Sequence, residues 1–291
     1  MTSAFFLHRP DIDDFILVHT MGKVGSTAVT RSLENVNVYC RHYHWAAAGT
    51  QAFFDRLEQV SPTGQSHWNF YLQNRINMRR ARNALLDTEY ASLIKVITAI
   101  RAPVDQILSH YFQAFPSCEA ALTTKKLEIN AANVRNNIRA GVELFMAKPD
   151  RTIAELTGDI NEDNCDRIMV CWLVHNYLHW FDEEFRPFFR TDILAGKPNN
   201  GFQIASNVLI LKFEELSTHG ERALAAYAQR PRLKMIRNNV AAEKRYGELY
   251  REITSTMKFP AEFVDHLCNS PYVRHFYSDQ ERRDMRQKWV G

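Results

Sequence analysis

One stretch constrains the fold more than any other. It is the apolar run Phe15-Ile16-Leu17-Val18-His19, followed directly by Thr20-Met21-Gly22-Lys23-Val24-Gly25-Ser26-Thr27. A short apolar run that stops at a glycine turn reads as a strand buried on both faces of a parallel sheet. Ser26 to Glu34 then reads as a helix, with Ala28, Val29 and Leu33 on one side. Val36 to Arg41 is rich in β-formers and predicts a second strand, Leu93 to Ile100 a third, and Asn207 to Phe213 a last. Pro103 opens a helix at its first position. Trp45 to Tyr90 reads as mostly helical, with a break at Pro62-Thr63-Gly64. Val104 to about Arg190 is a long helical region. Glu221 to the end is helical again, with breaks at Pro231, Pro260 and Pro271. Strands interleaved with helices predict an α/β fold with a central parallel sheet. The gap between Ile100 and Val208 exceeds one crossover, so it predicts a helical insertion over about 104–206 within a single domain, 1–291.

Composition narrows the function. The chain has 291 residues, 45% hydrophobic and 24% charged, with a net charge of +3. So small an excess does not announce a nucleic-acid partner, and any anion site has to be local. Cys40, Cys118, Cys165, Cys171 and Cys268 are odd in number and form no C-x-x-C, which argues against a disulfide framework or a zinc ribbon. A reducing, cytoplasmic setting is the expectation. The cluster Ala4-Phe5-Phe6-Leu7 lacks the basic flank and length of a secretory signal. The longest apolar run, Ile168 to Val174, falls far short of the roughly 20 residues of a membrane span.

The turn after the first strand carries chemistry. Backbone amides at a helix N-terminus point outward with partial positive charge, and glycines let an oxyanion approach them closely. Lys23 adds a full charge, while Ser26 and Thr27 add hydroxyl donors, so Gly22, Lys23, Val24, Gly25, Ser26 and Thr27 form a candidate phosphate cradle. It is not the G-x-x-x-x-G-K-[ST] motif, because Lys23 precedes Gly25 and the loop is shorter. The second signal is Ile97-Thr98-Ala99-Ile100-Arg101-Ala102-Pro103, a strand that ends in arginine, with Ser109 eight residues after it. Open α/β sheets bind ligands at the carboxyl ends of their strands, where Arg101 falls.

Together these motifs resemble the sulfotransferases that use 3′-phosphoadenosine 5′-phosphosulfate (PAPS). Lys23-Val24-Gly25-Ser26-Thr27 is similar to that family's K-x-G-[ST]-[ST] loop for the 5′-phosphosulfate. Arg101-Ala102-Pro103 with Ser109 is similar to its 3′-phosphate motif, with Ala102 where aspartate is usual. Trp180 to Phe185, Val208 to Leu216 and Ser270 to Ser278 resemble a bacterial capsular-polysaccharide-synthesis branch. The resemblance implies a P-loop-like three-layer sandwich and PAPS as sulfuryl donor. It further implies transfer to a hydroxyl of a carbohydrate, lipid or small metabolite, release of adenosine 3′,5′-bisphosphate (PAP), and no metal. The rivals are a nucleotide kinase or NTPase of related fold, and a non-catalytic nucleotide-binding module.

A sulfuryl transfer needs a group to accept the hydroxyl proton, and histidine titrates nearest neutrality. His42 and His44 follow the second predicted strand, and in extended chain they point to the same side. The resemblance places a catalytic His or Glu just after this strand, and His44 is preferred. Lys23 is the partner for the leaving oxygen. His19 reads as a structural residue, and His67 has no supporting spacing. His175 and His179 lack the Glu of H-E-x-x-H, since Asn176 stands there. Arg75, Arg79 and Arg82 share a helix face that reads as solvated, with Arg80 beside it. The resemblance implies that Lys244 is a further nucleotide contact. The aromatic runs Trp172 to Trp180 and Phe185 to Phe189 read as core.

Overall fold

Strand β1, Ile16–His19, is buried along its whole length, as its unbroken apolar run requires. It lies inside a five-stranded sheet of order β2-β1-β3-β5-β4, where β2 is Cys40–Tyr43, β3 Lys95–Ile100, β4 Phe202–Ala205 and β5 Val208–Lys212. β1, β2, β3 and β5 run parallel, and β4 pairs antiparallel with β5. The computed structural model describes residues 15–60, 82, 85, 94–236 and 246–291. The 61–81 stretch, with His67, Arg75, Arg79, Arg80 and the Pro62 break, lies outside the described residues, as do Lys244 and the N-terminal apolar cluster. Arg82 is helical and partly buried.

The second strand starts later than its β-formers predict. Helix α1, Ser26–Glu34, ends in a tight cap in which the Leu33 carbonyl accepts the amides of Val36 and Val38, with Asn37 left-handed at φ 58°. Val36 thus belongs to a helix cap, and the strand begins at Cys40. His42 is consequently inside the strand, and only His44 follows it.

β4 breaks the parallel-sheet expectation and takes residues 202–205 out of the predicted insertion. Its pattern is inverted. Gln203 is buried and donates to the Ile193 and Ala195 carbonyls at 3.0 and 2.9 Å, while Ile204 is 56% exposed. An alternation with the polar residue inward does not read as a strand.

Between β3 and β4 the long helical region is several helices: α3 Pro103–Gln113, α4 Phe115–Thr124, α5 Ala131–Met146, α6 Ile153–Asp159 and α7 Cys165–Trp180. α7 continues through a π-helical turn, Phe181–Phe185, into the short α8, Arg186–Phe189. α2 is Ala48–Val60 and α9 Glu221–Tyr227, followed by α10 Gly247–Thr256, α11 Ala261–Cys268, α12 Pro271–Phe276 and α13 Asp279–Trp289. Pro260 and Pro271 open helices, as the missing amide allows at a helix start. Among the described residues no helix is long and apolar enough to cross a membrane.

α7 is the element that carries the site, and almost every residue on it is buried. It sits close against α5 because Gly141 has no side chain: a Cβ there would lie 2.4 Å from Val170 Cβ and 2.9 Å from the Arg167 carbonyl. Gly141→Ala is expected to force the helices apart and cost about 1–3 kcal/mol, read as a lower urea midpoint at unchanged slope.

Candidate functional site

The turn after β1 is built from two left-handed residues, Lys23 at φ 67° and Gly25 at φ 84°. Gly25 is the N-cap of α1, and no side chain caps that helix. The first-turn amides therefore have no intrahelical partner, and the macrodipole adds partial positive charge. The carbonyls of the turn are held from behind. Gly22 O accepts from Gln106 Nε2 at 2.6 Å, and Lys23 O accepts from Arg101 Nη1 at 3.0 Å. With its carbonyls occupied, the turn presents amides, which is the condition for an anion nest. Both glycines are needed where they stand. A Cβ at Gly22 would lie 2.9 Å from the His110 ring, and one at Gly25 would lie 2.6 Å from Leu216 Cδ1 and 3.1 Å from the Phe213 ring. Ser26 is buried, while Lys23 and Thr27 are partly so. Val24 is fully buried and packs in the core, so it anchors the turn and offers no exposed group.

The chain reverses its progress across the sheet at β1 and β3, which places their carboxyl ends at a switch point. The bond from Arg101 to the Lys23 carbonyl spans that crevice. The Arg101 guanidinium also lies 4.3 Å from the centre of the Phe213 ring, which holds it flat. Its carbonyl accepts from the Tyr177 hydroxyl at 2.8 Å. The Ala102 amide is capped from another strand end. Glu214 Oε1 accepts the Ala102 amide at 2.9 Å, and its other oxygen accepts from Tyr277 at 2.9 Å. Ser109 is buried two turns into α3 and shares no hydrogen bond with Arg101.

His44 leaves β2 beside this loop. Its Nδ1 donates to the Thr20 carbonyl at 2.8 Å, so the proton sits on Nδ1 and the Nε2 lone pair can accept. Its ring meets that of His42 edge-on, 4.3 Å between centres, so the two imidazoles do share a side. Both are held low. Burial lowers His44 to about 4, helped by the Lys23 charge, and lowers His42 well below the usual imidazole value. Neither is poised at neutrality as a free base would be; both are neutral imidazoles. His110 is a third, pushed to about 3 by burial, then by His44 and Lys23, and stacked on Trp45 at 5.9 Å.

Glu184 belongs to the site without a local motif to mark it. It lies in the π-helical turn, 1% exposed, and its Oε2 accepts the amides of Ala46 and Ala47 at 2.6 and 2.8 Å. Its own carbonyl accepts from His19 Nε2 at 2.8 Å, and Trp180 Nε1 donates to the His44 carbonyl at 2.9 Å. Burial raises the Glu184 carboxyl to about 7. The one available clue is a carboxylate inside the aromatic run Trp180 to Phe189. For Glu214 the clue is its place just past the end of β5. His19 is structural, enclosed by Trp180, Phe185 and Phe189. His175 bonds Glu183 at 3.0 Å, and its ring lies 4.5 Å from that of His179. Among the described residues no three His, Cys, Asp or Glu side chains are grouped to hold a metal ion.

Residues 158–278 match the family described as a "putative capsular polysaccharide synthesis protein", which is less than half of the chain. The match includes Tyr177, Trp180, Glu184 and Glu214, but not the Gly-Lys loop, His44 or Arg101. No curated protein and no solved structure matches the chain.

The buried groups set a pH dependence. His19 is lowered to about 4 by burial, and with His42, His44 and His110 it stays neutral in the fold, whereas the unfolded chain binds protons below 6.5. Their contribution is complete above 6.5 and is lost as pH falls toward about 4. Glu184 acts oppositely: its contribution is complete below 4.5 and is lost as pH rises through about 7. Four imidazoles outweigh one carboxyl, so urea midpoints should rise from pH 4.5 to 6.5, and Glu184→Gln should steepen that rise and remove any fall toward pH 7. A flat profile across this range would contradict the burial of these groups as neutral species.

Proposed function

We propose that the chain is a sulfotransferase of polysaccharide biosynthesis, taking a sulfuryl group from PAPS to a hydroxyl of a glycan. The observation that carries this reading is the amide-presenting turn with Lys23, bonded across the switch point to Arg101 of the neighbouring strand. Two cationic residues past neighbouring strand ends, the guanidinium of one held on the backbone carbonyl of the other, suit a ligand with two separated phosphates. The match to a polysaccharide-synthesis family supports the acceptor class.

The donor supplies an activated sulfuryl group whose transfer is an in-line displacement, close in logic to phosphoryl transfer. The roles of the chain follow from position. The amides at Gly25 to Thr27, with the Ser26 and Thr27 hydroxyls, hold the 5′-phosphosulfate oxygens. Lys23 stabilises the negative charge that develops on the leaving phosphate. Arg101 and Ser109 hold the 3′-phosphate. His44 Nε2 accepts the proton of the attacking hydroxyl, with His42 packed behind its ring to fix its orientation. The Thr20 carbonyl keeps His44 in the accepting tautomer.

Lys23 also ties the base to the donor. Its charge is one cause of the low His44 pKa. A phosphate beside Lys23 screens that charge, so His44 becomes a better base once donor is bound. The acid limb of kcat is therefore expected above that of kcat/KM, the latter lying near the His44 value of about 4. Coincident limbs would remove His44 from this role.

The direct test is transfer of 35S from labelled PAPS to bacterial polysaccharide acceptors. Lys23→Ala should lower the rate by about 100-fold or more, as loss of an oxyanion donor does, with its thermal midpoint unchanged. Transfer at the native rate by that variant would overturn the reading. Hydrolysis of ATP with Mg²⁺, without transfer from PAPS, would favour the kinase class instead.

A further inference from the structure

Away from the Gly-Lys loop, the helices form an open concavity of about 780 Å3, within the range of ligand sites. α7 separates the two. Along α7 and the π-helical turn after it, Tyr177, Trp180 and Glu184 bond Arg101 and the segment leaving β2, whereas Leu178, His179 and Asp182 face the other way. Those three line the cavity, with α11, α12 and the end of α5.

Its chemistry is one-sided. Asp150, Asp182, Glu262 and Asp265 line it, and no Lys or Arg does. Arg186 pairs with Asp182 at 3.0 Å, and Arg286 with Asp265 at 2.8 Å. Asp150 and Glu262 are exposed and engaged in no ion pair among the described residues. A second observation points to a ligand. Ser270 lines the cavity at 8% exposure, yet its hydroxyl makes no hydrogen bond, although it stands where it could cap α12. The residue is nine-tenths buried, but its hydroxyl oxygen is not fully enclosed, so it can take a partner in the cavity. The remaining wall mixes His266, Asn269 and Pro271 with Met146, so hydrogen-bonding groups alternate with apolar surface.

The cavity is also what the matched family segment builds. Ten of its thirteen lining residues fall within 158–278, whereas the loop residues 22–27 do not. Carboxylates, an amide and a hydroxyl, interleaved with apolar side chains, suit the hydroxyl groups and apolar faces of a sugar. The excess of carboxylate selects a sugar bearing ammonium groups and disfavours uronic or sulfated ones. We infer that this cavity is a binding site for an amino-sugar segment of a polysaccharide. It would hold the glycan apart from the reacting centre, and it does not require the sulfuryl-transfer reading.

Isothermal titration calorimetry on the whole chain tests it with three probes: the β-1,4-linked glucosamine tetramer, cellotetraose as its neutral isostere, and spermine as a cation without a sugar. The glucosamine tetramer should bind at least about tenfold more tightly than either control, the scale of one charge-assisted hydrogen bond. The double variant Asp150→Asn, Glu262→Gln should erase the preference over cellotetraose, and Ser270→Ala should weaken both sugars. Among the described residues none of the three side chains makes a hydrogen bond or ion pair, so thermal midpoints of both variants serve as the folding control. The inference is overturned if spermine binds as tightly as the tetramer, if cellotetraose matches it, if the rim variant leaves binding unchanged, or if the tetramer gives no heat at millimolar concentration. PAP titrations of the same samples report on the other site alone, so failure of one reading is not failure of the other.

Discussion

A buried carboxyl group organises the site end of this fold. Glu184 is desolvated, and a charge in such a place is tolerated only if it is neutralised or hydrogen-bonded. It gathers the Ala46 and Ala47 amides on its side chain and the His19 ring on its carbonyl. Those contacts join the end of β1, the segment leaving β2 and the turn that follows α7. The Trp180 bond to the His44 carbonyl works at the same junction. The position of His44 is thus set by a residue far away in sequence, carried on a π-helical turn. Such turns are rare and recur at functional sites.

The same burial sets the electrostatics. Four clustered imidazoles, two of them facing Lys23, would repel if protonated, and burial keeps them neutral instead. The positive charge of the site is concentrated at Lys23 and Arg101 and in the uncapped start of α1. An anion at the loop therefore meets localised donors rather than a diffuse basic surface, which is consistent with a chain of net charge only +3. The acidic cavity lies across α7 from this centre. The helix that supports the candidate anion site on one face lines the acidic cavity on the other.

The elements legible in the sequence are those in which local and tertiary demands agree. β1, β3 and β5 are continuous apolar runs because both their faces are covered, and α1 follows its glycine turn where its apolar spacing puts it. Val36 misleads because a left-handed Asn37 draws it into a helix cap. β4 is hidden because Gln203 finds buried carbonyls to satisfy it, while Ile204 takes the solvent side. The loop residues of the candidate site carry a local signature of glycines, lysine and hydroxyls. Glu184, Glu214 and Gln106 do not, since their partners are backbone groups far away in the chain. Ala102 shows the consequence: its amide at the start of α3 is capped by a carboxylate from another strand end.

The central claim is that the Lys23 turn and Arg101 form one site for a nucleotide with separated phosphates. Its most direct test is a thermal-shift titration with PAP in metal-free buffer, beside adenosine 5′-phosphosulfate and ATP with Mg²⁺. The account predicts stabilisation by PAP without metal, reaching about 2.7 kcal/mol at 100 times the dissociation constant. It also predicts a weaker response to adenosine 5′-phosphosulfate, which lacks the 3′-phosphate. Stabilisation by ATP with Mg²⁺ and none by PAP would contradict it.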